Sequence, residues 1–151
     1  MRHILCFGNP LHGDDGFGHA VYQRLAALPL PGDLRLFDAG TAGLGALPLF
    51  QNCDEAILVD AGALGMEPGR LSQPLPETIM AEATLAAHGA GVGFLLQALA
   101  ALPEPAPRIR IIAVEIAAAT PFQPGLSAAV GRGVEQAVAL LSPYFQPTDH
   151  E

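Results

Sequence analysis

The sequence predicts an α/β fold: a three-layer α/β/α sandwich with helices on both faces of a mainly parallel sheet. Three observations carry that reading. Strand-like apolar runs alternate along the 151 residues with stretches of helical period, the order expected when helices cover a parallel sheet. The run Ala56 to Val59 is apolar without a break, as in a central parallel strand buried on both faces. The chain also opens with a strand-turn-helix unit, Ile4 to Phe7 ending at Gly8, the connection from which open α/β sheets build sites at their carboxyl edge.

Each element has its own signal. After Ile4 to Phe7, a glycine-rich turn carries Asp14 and Asp15, and Val21, Leu25 and Leu28 follow at i, i+4, i+7. Leu34 to Phe37 reads as a second strand, and Gly43 to Phe50 as a short helix with Leu44, Leu47 and Phe50 on one face. Ala56 to Val59 is the third strand, closed by Asp60. Residues 61 to 75 form an excursion with a short strand near Arg70 to Ser72, while Pro74 to Ala87 carries no clear period. Ala90 to Leu102 reads as a helix through Val92, Leu95, Leu96 and Leu99, stopped by Pro103, Pro105 and Pro107. Ile109 to Ile116 is the last clear strand. A closing helix starts at Ser127, a good N-cap, and buries Val130, Val134, Val138 and Leu141 before Pro143. The polar tail from about residue 144 is expected to fray.

Composition bounds the function. One domain spanning residues 1–151 buries roughly 70% of its unfolded surface. The net charge is −8, from 7 basic and 15 acidic residues with no basic run, which argues against a nucleic-acid surface. Every basic residue is arginine, so Schiff-base chemistry, a Walker lysine and a Ser-Lys dyad are excluded. The two cysteines, Cys6 and Cys53, make no disulfide framework, which suits a reduced, cytoplasmic setting. The apolar run after Arg2 breaks at Gly8-Asn9-Pro10, too short for a signal peptide, and nothing approaches the ~20 apolar residues of a membrane span.

Three side chains fall at element ends, where chemistry is placed. Asp15 opens the first helix, Asp60 closes the third strand, and His88 precedes the next firm helix. Two carboxylates and an imidazole make an O,O,N set suited to a divalent transition metal with open positions. Parallel strands bring their carboxyl ends to one edge, so these distant residues can meet. Plain structural alternatives exist for each: one of Asp14 and Asp15 as a helix cap, Asp60 as a turn residue, His88 as a helix-start histidine. Glu115 stands inside the apolar run Ile111 to Ile116, and Asp38 either shapes its Asp-Ala-Gly turn or assists the site. Asp14, Asp38, Thr41 and Glu115 are the accessory candidates.

Nucleophiles are scarce. No Gly-x-Ser-x-Gly elbow exists, and neither cysteine follows a strand-to-helix turn. The clusters at Gly40 to Gly45 and Gly89 to Gly93 miss the dinucleotide-binding spacing.

The blocks Gly8-Asn9-Pro10-Leu11-x-Gly-Asp-Asp15-Gly16-x-Gly18, Asp38-Ala-Gly-Thr41-Ala-Gly43, Ile57-Leu-Val-Asp60-Ala61 and Gly65-x-x-Pro68-Gly69, with His88 before an apolar helix and the late Gly125-Leu126-Ser127, occur in one order. Together they resemble the hydrogenase maturation endopeptidases, which process the large subunit of nickel-iron hydrogenases. The resemblance implies a mixed, five-stranded sheet. It implies an endopeptidase that removes the C-terminal extension of a large-subunit precursor already loaded with nickel. It places the metal-binding residues at Asp15, Asp60 and His88, with Asp15 catalytic. Nickel is then carried by the substrate, and other divalent metals can substitute in the isolated protein. The partner is the hydrogenase large-subunit precursor, with no nucleic acid and no membrane. Here Ala87 and Gly89 flank the histidine, where the family often has a hydroxyl and a polar residue. The competing reading is a non-proteolytic metal- or nucleotide-binding module on the same scaffold.

Overall fold

The computed structural model describes residues 1–64, 66–86, 91–117 and 121–146. In chain order its elements are β1 (Arg2–Phe7), α1 (Phe17–Ala26), β2 (Leu34–Gly40), β3 (Glu55–Leu64), β4 (Leu71–Ser72), α2 (Pro76–Ala86), α3 (Val92–Ala100), β5 (Arg108–Ile116) and α4 (Ala128–Leu141). Short 3-10 stretches cover Gly13–Gly16, Gly43–Phe50 and Ser142–Phe145. The five strands form one sheet in the order β2-β1-β3-β5-β4. β1 pairs with β2 and β3, and β3 with β5, all parallel, whereas the short β4 runs antiparallel to β5. The mixed five-stranded sheet is as expected.

Strand alternation builds the two outer layers. Ile4 and Cys6 of β1, Ile57 and Val59 of β3, and Ile112 and Val114 of β5 face α1 and α4, packing on Phe17, Val21, Leu25, Val130, Val134 and Leu141. Leu5 and Phe7, Ala56 and Leu58, and Ile111 point the opposite way, onto Ala46 and Phe50 of the second 3-10 stretch and Val92, Leu95, Leu96 and Leu99 of α3. Ala56, Ile57, Leu58 and Val59 are fully buried, so the unbroken apolar run has helices over both of its faces. Each large side chain buried this way contributes roughly 1.5–3 kcal/mol.

Some local readings change. Leu28 lies beyond the end of α1 and is 37% exposed; Pro29 follows it, and a residue before proline is pushed out of the helical region. Gly43–Phe50 is 3-10 rather than α-helix, with Pro48 inside it. Asp15 belongs to the 3-10 turn before α1, not to the helix. Val138 is only partly buried, and Ala137 takes the fully buried place on α4. The segment without a clear period contains α2. Tyr144 and Phe145, at the start of the segment expected to fray, pack against the core, and the Tyr144 hydroxyl donates to Glu55 at 2.8 Å. Among the described residues no helix is long and apolar enough to cross a membrane.

Connections set the position of the site. The chain moves from β1 outward to β2, then crosses back to β3 on the other side of β1 and continues to β5. Strand order therefore reverses at β1 and β3, and a crevice opens outside their carboxyl ends.

Candidate functional site

The loop between β1 and α1 is folded tightly by its glycines. Gly8 has φ +126°, and a Cβ there would stand 2.1 Å from the Asp15 carbonyl oxygen. A Cβ on Gly18 would meet the Phe7 carbonyl oxygen at 2.0 Å. Only glycine at both positions lets the loop turn back onto the end of β1. His12 N–H donates to the Asn9 carbonyl and Asp15 N–H to that of His12, both at 3.1 Å. The Asn9 N–H donates to Asp15 Oδ2 at 2.9 Å, which fixes that carboxylate at the loop's inner side.

The two adjacent aspartates have different work. Asp14 is 2% exposed. Its carboxylate accepts from Ala117 N–H at 2.9 Å, Ser127 N–H at 2.7 Å and the Ser127 hydroxyl at 3.0 Å. Ser127 Oγ in turn caps α4 by accepting the Val130 N–H at 3.4 Å. Asp14 is thus a clasp tying the first loop to the end of β5 and the start of α4. With its neighbour so held, Asp15 is left to face the crevice.

That crevice has a volume of about 270 Å³ and is lined by Asp15 and Asp60 together with Phe7, Gly8, Thr41, Val92 and Leu95. Asp60 arrives there because β3 runs past Val59, whose register partners are Cys6 and Ile112. Burial, and then the nearby charge of Asp15, push the Asp60 carboxyl up to about 7, against a hydrogen bond from the Ala61 backbone that favours its ionised form. A carboxyl group raised in this way beside a second carboxylate can hold a proton near neutrality, or release it to a cation. Either use is chemical, and neither is needed by the fold.

The structure brings Asp15, Asp60 and Thr41 together at the crevice. His88 lies outside the described residues; the chain is next described at Gly91, which lines the crevice just before α3. Among the described residues no three His, Cys, Asp or Glu side chains are grouped to hold a metal. Other candidates are engaged elsewhere. Asp38 pairs with His19 Nδ1 of α1 at 3.0 Å. Glu115 Oε2 accepts the Glu67 N–H at 3.0 Å, and its backbone bonds Gly69 and Arg70, so it shapes the turn leading into β4. Neither lines the crevice. Sequence reasoning missed the apolar wall of Phe7, Val92 and Leu95, which read as core, and Asn9 as the residue that anchors Asp15. The signal for Val92 was Gly91, whose φ of +107° places it at the turn into α3.

Comparison with known proteins agrees with this architecture. The chain matches the family model HycI, hydrogenase maturation protease, over residues 20–143. It is 31% identical over 142 residues to the hydrogenase expression/formation protein HupM of Azotobacter chroococcum mcd 1, spanning 91% of this chain and 68% of that protein. It is 41% identical over 69 residues to HupD of Rhodobacter capsulatus, covering 45% of this chain but only a third (33%) of that relative's length. The solution structure of an endopeptidase from Escherichia coli superposes with a TM-score of 0.81 at 27% identity, covering 95% of this chain and 91% of that one. The chain belongs to the hydrogenase maturation protease family.

Proposed function

We propose that this protein is the endopeptidase that removes the C-terminal extension of a nickel-loaded [NiFe]-hydrogenase large-subunit precursor. The observation that carries the reading is the pair Asp15 and Asp60 in one small crevice at the switch point of the sheet. Asp15, Asp60 and His88 engage the nickel of the substrate, which is cargo and positions the scissile segment against the crevice. Substrate nickel competes with the proton that Asp60 holds near neutral pH.

Water is the nucleophile. Asp15, anchored through one oxygen by Asn9 N–H, accepts a proton from the attacking water as its oxygen bonds to the scissile carbonyl carbon, and the proton then passes to the leaving amine. Burial pushes the Cys6 thiol far up, and that of Cys53 is raised by the same cause, so neither is poised as a thiolate.

The test is incubation with nickel-loaded and nickel-free precursor, followed by mass spectrometry of the precursor's C-terminus. Expected is loss of a C-terminal peptide from the loaded form alone. Equal cleavage of both forms removes nickel recognition, and cleavage of neither removes the protease reading.

A further inference from the structure

Phe122 is placed where a core or loop residue gains nothing. Its backbone has φ +58°, a left-handed conformation that is an outlier for a bulky side chain, and its side chain is 82% exposed. Strain of this kind persists where the surroundings over-determine it, and it gathers at binding sites. The surroundings here are the first loop: His12 bridges Gln123 as an isolated parallel pair, and Gly13 N–H donates to the Gln123 carbonyl at 2.8 Å. The His12 ring meets the Phe122 ring edge-on, with centroids 5.6 Å apart. Leu11, 53% exposed, stands beside His12 on a turn closed by its N–H to Asn9 Oδ1 at 2.9 Å.

This apolar cluster is built on the same loop that carries Asp15 into the crevice. The crevice, at about 270 Å³, falls below the roughly 300–1,000 Å³ of an ordinary ligand site. A crevice of that size offers little area for recognising a folded protein, which leaves that task to the surface around it. We infer that Leu11 and Phe122, with His12 between them, form an apolar docking surface for the folded body of the large-subunit precursor, receiving an exposed apolar segment beside its C-terminal extension. The inference rests on the substrate named under Proposed function. Aromatic side chains, Phe among them, are enriched in protein interfaces relative to the rest of the surface.

Binding to immobilised nickel-loaded precursor and steady-state processing test it together, at 25 °C and on variants whose circular dichroism matches the wild type. Leu11→Ser with Phe122→Ser should weaken binding and raise KM about tenfold or more with kcat unchanged. Phe122→Leu, which keeps an apolar side chain on the same backbone, should restore binding to within about threefold. Phe122→Gly separates docking from architecture: it should weaken binding while Tm stays within about 2 °C, because glycine adopts the left-handed backbone freely. Unchanged binding and KM in the double variant, beside normal wild-type processing, overturns the docking surface and leaves the protease reading standing. A wild-type protein that neither binds nor cleaves the precursor overturns both.

Discussion

Asp60 is a carboxyl group whose environment works against its ionised form, and that has a measurable sign. Burial raises its pKa from the usual carboxylate range, about 4, to about 7, so between those values the native state holds a proton that the unfolded chain has released. The contribution of Asp60 to stability is therefore greatest below about pH 4, falls as pH rises through the interval from about 4 to 7, and levels off above it. Asp60→Asn removes this dependence: thermal melts should show the variant more stable than wild type at pH 8 and close to it near pH 4. A variant less stable at both would mean that the ionised carboxylate has a favourable partner. In function the same substitution is expected to be damaging. Asp15→Asn, Asp60→Asn and His88→Ala are each expected to abolish processing of nickel-loaded precursor while the circular dichroism is unchanged, and near-normal cleavage by any two would dismiss the triad.

Elements are joined into a site by Asp14 rather than by any one of them. Three hydrogen bonds to its carboxylate reach across 103 and 113 residues of sequence, from Ala117 and Ser127. Asp14→Ala would leave buried donors unpaired, at a cost of about 3 kcal/mol, lowering Tm on the order of 10 °C. Ser127→Ala loses the α4 cap and should cost about 1 kcal/mol. If Asp14→Ala melts like the wild type, the clasp contributes nothing to stability. This clasp also shows what a sequence can and cannot reveal. β1, β3 and β5 were legible because buried parallel strands are continuous apolar runs, and Asp15 and Asp60 because they stand at the ends of such elements. Asp14 and Glu115 stood only as accessory candidates, and their long-range partners show the structural work they do. The helix α2 was illegible because its helical pattern is weak: among its described side chains, Ile79 and Met80 pack on the core. It is seated by a close approach instead, since a Cβ on Gly93 would stand 2.6 Å from the Ile79 carbonyl oxygen.

Across the whole molecule, the placement of nucleophilic groups decides how a peptide bond could be broken. There is no lysine, and the serines are Ser72, Ser127 and Ser142. Ser127 is committed to Asp14 and the α4 cap, and Ser142 donates to the Ala139 carbonyl at 3.1 Å. Cys6 is fully buried in β1. Cys53 lines a separate cavity of about 530 Å³ with Phe50, Leu99 and Pro107, near the strand starts and so at the edge of the sheet opposite the carboxylates. Thr41 is the one hydroxyl side chain among the described residues lining the crevice. Serine- and cysteine-directed inhibitors should therefore leave processing unchanged, and the double variant Cys6→Ala with Cys53→Ala should remain active. Thr41→Val supplies the sharper measurement. A residue that only borders the crevice should lose less than about tenfold in kcat, whereas a covalent nucleophile loses nearly all of it. Abolished turnover in Thr41→Val, with the acyl-enzyme visible by mass spectrometry in the parent protein, would replace water with that hydroxyl as the attacking group.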